Sequence, residues 1–111
     1  MPHELPLPPA ASGDKNSLEM IRVWLAGDKQ HCVLNIGLWE DRGIDEREAW
    51  GILFADMIHH IANAHEEQYG RNADESIERI KEKFLWELQN PSSPRRGKCV
   101  VKKDKKKKKL R

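Results

Sequence analysis

The chain has 111 residues, 38% of them apolar, 34% charged and only 6% aromatic: enough for one small domain, and polar for a globular one. Charge is divided unevenly, with 9 Lys/Arg against 17 Asp/Glu in residues 1–94, a balance of −8, and 11 against one in residues 95–111, a balance of +10. A spanning helix (~20 apolar residues), a secretory signal in the opening MPHELPLPPAASGD and a disulfide scaffold built on Cys32 and Cys99 alone are all excluded, so a cytoplasmic protein with no membrane contact is expected.

Residues 1–17 form the first unit. Pro2, Pro6, Pro8 and Pro9 fix φ and remove backbone donors, so the segment is read as an extended, polyproline-like arm that joins no helix. It ends in the turn-prone run Ser12-Gly13-Asp14. Leu5 and Leu7 could strap onto the body, although a loosely held leader is the plainer reading.

Residues 18–90 form the folded unit. Leu18 to Ala26 alternates, with Met20, Arg22, Trp24 and Ala26 on one face and Ile21, Val23 and Leu25 on the other. Gly27-Asp28-Lys29-Gln30 reads as a loop, and His31 to Gly37 as a second strand with Cys32, Leu34 and Ile36 on one face. Two strand-like runs about a short Gly/Asp loop predict a β-hairpin. After the connector Trp39 to Gly43, Asp45 and Glu48 have the spacing of a capping box at a helix start. Apolar residues at Trp50, Leu53, Phe54, Met57, Ile58, Ile61, Ala62, His65 and Tyr69 then predict an amphipathic helix that stops at Gly70. Asn72 and Glu75 repeat the box, and Ile77, Ile80, Phe84, Leu85 and Leu88 mark a second helix that Pro91 ends. Glu75 and Arg79 make a favourable pair on it.

Residues 91–111 form the third unit, a basic tail with five consecutive lysines at Lys105 to Lys109. It is expected to be disordered in isolation, with Cys99-Val100-Val101 its one apolar patch.

The fold class is therefore α+β, a β-hairpin followed by two α-helices. So short a ββαα unit has a marginal core, and an isolated hairpin leaves two unpaired edges. A homodimer resolves both, completing the sheet by strand pairing or by a domain swap.

Leu18-Glu19-Met20-Ile21-Arg22-Val23-Trp24, the His31 that opens the second strand, Trp50-Gly51-Ile52-Leu53 and His60-Ile61-Ala62-Asn63-Ala64, with the Pro-rich leader, resemble a small bacterial family. It is catalogued as domain of unknown function 5076, and the likeness covers approximately residues 1–90. The resemblance implies a compact α+β domain, as a swapped or intertwined dimer, with no assigned activity. The lysine tail departs from the family pattern.

Chemical candidates are few. Asp56, His59 and His60 lie on the polar side of the first helix, at a spacing that could hold a divalent metal, but no second cluster supplies further ligands. A solvated helix face is the plainer reading. His65 on the apolar stripe reads as a partly buried histidine with a backbone partner, and Cys32 as a small buried hydrophobe. Cys99 is read as exposed and open to an adventitious disulfide. Trp24 and Trp50 read as core, Trp86 as a subunit or partner contact, and Trp39 as either. No Gly-rich phosphate loop or nucleophile elbow is present, and neither a cofactor nor a small-molecule ligand is indicated. The tail could hold nucleic acid or another polyanion without sequence readout, dock on the acidic body, or stay solvated. The leading expectation is a non-catalytic dimeric binding or structural module. A nucleic-acid accessory protein comes second, and a metal-dependent enzyme built on Asp56, His59 and His60 third.

Overall fold

The structure is a computed structural model that describes residues 1–92 and 98–102. It is an α+β fold: a three-stranded sheet containing the predicted hairpin, and two long helices.

The leader is not wholly extended. Pro9–Ser12 forms a short helix, α1, with proline at its start. The expectation that this arm joins no helix overlooked that a proline at the first helical position loses only an N–H that would be unbonded anyway. Ser17 Oγ donates to Ala11 O at 2.9 Å and Asp14 O at 2.8 Å, closing the turn predicted at Ser12-Gly13-Asp14. The leader runs beside the first strand over a hollow of about 260 Å³ that Leu5 and Leu7 help to line. Both leucines nevertheless stay exposed, at 87% and 70%, so they are no tight strap.

Strands β1 (Ile21–Ala26) and β2 (Lys29–Asn35) pair antiparallel, with Val23 opposite Cys32 and Ala26 opposite Lys29. The loop holds two residues rather than four, because Gly27 and Asp28 take φ of 60° and 62°. Two successive left-handed residues give a turn whose twist matches that of the strands, so Lys29 and Gln30 join the ladder. The structure adds a third strand, β3 (Cys99–Lys102), parallel to β2, with Cys32 beside Cys99 and Leu34 beside Val101. The expectation of a structureless tail fails at these four residues: two adjacent valines favour extended chain, and β2 offers an open edge. Residues 93–97 and 103–111, which include the Lys105 to Lys109 run, lie outside the described residues.

Register fixes the faces. Ile21, Val23, Leu25, Gln30, Cys32, Leu34, Cys99 and Val101 share one side of the sheet; Arg22, Trp24, Ala26, Lys29, His31, Val33, Asn35, Val100 and Lys102 share the other. The first side is almost wholly apolar.

Helix α2 (Glu46–Tyr69) begins at Asp45, as predicted, and ends at Gly70 in the left-handed conformation, φ 68°. The box is built differently, however. Asp45 Oδ1 accepts from Arg47 N at 3.1 Å, and Glu40 Oε2 accepts from Glu46 N at 2.9 Å. Helix α3 (Ala73–Gln89) has the predicted cap, with Asn72 Oδ1 accepting from Glu75 N at 3.0 Å. Glu75 also stands 3.6 Å from Arg79 as expected. The two helices pack on each other, and Ala62 on α2 is fully buried.

The sheet packs within itself and the helices within themselves, with no extensive contact between the two among the described residues. Among the described residues Ala62 is the only buried apolar side chain. Trp24 and Trp50, expected in a core, are only half-buried. None of the described helices is long and apolar enough to cross a membrane.

Candidate functional site

Among the described residues, the one buried charge lies at the corner between sheet and helices. Glu46, at the first position of α2, is 6% exposed. Its Oε1 accepts from the backbone amides of Gly37 at 2.9 Å and Trp39 at 3.2 Å, and its Oε2 from Trp50 Nε1 at 3.1 Å. Burial pushes the carboxyl up, but hydrogen bonds from Trp50, Gly37, Trp39 and Glu40 outweigh it and hold the group below the ordinary glutamate range. Trp39 stands edge-on to Trp50 with ring centroids 5.7 Å apart, and Trp50 contacts Phe54 at 5.9 Å. The connector is thereby fastened to the first turns of α2, which sets the direction in which the helices leave the sheet. Reading Asp45 and Glu48 as the box missed Glu46. Its signal was the spacing of four from Glu46 to Trp50, which sets a carboxylate beneath an indole N–H on one helix face.

Beside this corner an open groove of about 640 Å³ runs along α2, walled by Trp39, Ile44, Ile52, Leu53 and Met57, with Glu48, Asp56 and His60 at its polar margin. Asp56 and His60 thus share a groove, while His59 lies on neighbouring exposed helix surface. Among the described residues no three His, Cys, Asp or Glu side chains converge as metal ligands would, so the proposed trio does not form a coordination site.

His65 is half-buried, but its partner is a side chain rather than backbone: Arg71 Nη1 donates to His65 Nδ1 at 3.0 Å. Arg71 also lies over the Tyr69 ring, 5.0 Å from its centroid, which stiffens the α2–α3 corner. Trp86 is 57% exposed on α3. Cys32 is half-buried, and its sulfur lies 2.7 Å from that of Cys99.

The profile of the domain of unknown function DUF5076 matches residues 4–92, most of the chain and the whole of the hairpin and helical pair. This chain belongs to the DUF5076 family. No curated protein matches it. Among solved structures, the DUF5076 chain is similar to one from the photosynthetic bacterium Rhodopseudomonas palustrus CGA009, provisionally named a pyruvate dehydrogenase. The two are 26% identical with a TM-score of 0.64, over 87% of this chain and 94% of that one.

Proposed function

We propose that this DUF5076 protein is a non-catalytic cytoplasmic module that acts as a homodimer, each copy laying its helical pair over the apolar sheet face of the other. The observation that carries the reading is the separation of two apolar surfaces within one chain. Val23 and Leu25 on the sheet are 49% and 83% exposed, and Ile52 and Met57, which line the α2 groove, are 64% and 38% exposed. The exposed apolar side chains of α3 add to the helical surface. The Glu46 corner keeps the two surfaces of one chain apart, and a second copy presents the matching surface to each. With β2 bonded on both sides, simple edge pairing of two hairpins is open only to β1 or β3, which favours a reciprocal sheet-on-helix arrangement.

Light scattering tests the dimer: a particle of twice 12.9 kDa is expected at micromolar concentration. A mass of one chain under those conditions would end the proposal.

A keto-acid dehydrogenase activity is not carried over from the similar structure. Such chemistry needs a carbanion-stabilising cofactor, and among the described residues the α2 groove offers a diphosphate the carboxylates of Glu48 and Asp56 and no lysine or arginine.

A further inference from the structure

We infer that Cys32 and Cys99 form a reversible intrachain disulfide that latches β3, and with it the start of the basic tail, onto the sheet. The two residues are direct partners in the parallel β2–β3 ladder, and their sulfurs are 2.7 Å apart. Neighbouring strands run about 4.8 Å apart, inside the Cα separation that a disulfide tolerates. The backbone already holds the pair in place, with Cys32 N donating to Lys98 O at 3.0 Å and Lys98 N donating to His31 Nδ1 at 3.0 Å. All four residues of β3 are exposed, and among the described residues the reduced strand is held chiefly by its ladder, so a covalent bond changes its hold.

The chemistry needs an oxidant, and a low-molecular-weight disulfide of the glutathione type supplies it. The exposed Cys99, as thiolate, attacks one sulfur of that disulfide and expels one thiolate. The Cys32 sulfur, on losing its proton, attacks the Cys99 sulfur of the mixed disulfide and expels the second. Two electrons pass from the cysteines to the oxidant, and their two protons go to the released thiolates. The contact with Cys99 foremost, and burial after it, hold the Cys32 thiol above its usual range, which suits it to the second step rather than the first. The bond would close a loop of 67 positions in sequence, a long-range tie on an otherwise loosely held strand.

The test treats the full-length reduced protein with oxidised glutathione. The inference predicts a single chain about 2 Da lighter, with the tryptic peptides of Cys32 and Cys99 joined. It also predicts about tenfold slower trypsin cleavage after Lys98 and Lys102 than in the reduced protein. Cys32→Ser should show neither change. Separate glutathione adducts on the two cysteines, a disulfide between chains, or cleavage that oxidation leaves unaltered would each overturn it. These readouts are intrachain and do not depend on whether the protein is a dimer.

Discussion

Glu46 and Trp50, one turn apart on α2, are joined by an indole N–H to carboxylate hydrogen bond of 3.1 Å, and the same carboxylate binds the amides of Gly37 and Trp39. One side chain thus satisfies donors from the end of the hairpin, the connector and the helix. A buried carboxylate is tolerated only when it is hydrogen-bonded in this way, and at the helix start it also faces the positive end of the dipole. The carboxylate thereby ties the end of the hairpin and the connector to the start of α2.

Glu46→Ala should therefore lower stability by about 2–4 kcal/mol, since it leaves three donors without their acceptor. Trp50→Phe keeps the ring and removes one donor, and should cost about 1 kcal/mol. Urea unfolding followed by circular dichroism measures both. Equal stability of Glu46→Ala and the wild type would show that the corner is not held by this carboxylate.

The same group sets an acid limit. Its folded pKa lies below the ordinary value of 4.5, so its stabilisation is complete above that value and is lost as pH falls through the lowered folded one. The urea midpoint of the wild type should fall below pH 4.5, while that of Glu46→Gln, already lower at neutral pH, should fall less steeply. Parallel curves would assign the acid sensitivity to other carboxylates.

At the hairpin tip, Gly27→Ala should cost about 1 kcal/mol, because φ of 60° crowds a Cβ against the backbone. The double change Gly27→Asn with Asp28→Gly places the preferred pair for this turn and should match or exceed wild-type stability. Thermal unfolding distinguishes the two. A harmless Gly27→Ala would mean that the turn opens to a different loop.

Zinc titration of the full chain should give no saturable heat, and His60→Ala should leave the titration unchanged. Asp56, His59 and His60 do not converge with a further ligand among the described residues. A stoichiometric isotherm lost in His60→Ala would reinstate the metal reading.

The elements that the sequence revealed are those fixed by local chemistry. Asp45, Gly70 and Asn72 act within one helical turn of themselves, and each stands where its cap was expected. The apolar periodicity of α2 marked the helix but not its cover, because periodicity records which face avoids water and not what lies against it. Glu46 was passed over because its partners, Gly37 and Trp39, lie in an irregular connector without periodic signal. Strand β3 was hidden by the lysines around Val100 and Val101: composition describes a segment alone, whereas its pairing depends on an edge 67 positions away.

Reciprocal cover of sheet by helices is tested most directly by mixing two variants. Val23→Glu places a charge on the sheet face and Met57→Lys one on the helix face, so each alone should sediment mainly as a monomer. Mixed, they can form one interface free of either substitution and a second in which Glu meets Lys, and the account predicts that the mixture regains the mass of a dimer. A mixture no more associated than its two components, or variants that stay dimeric on their own, would contradict it.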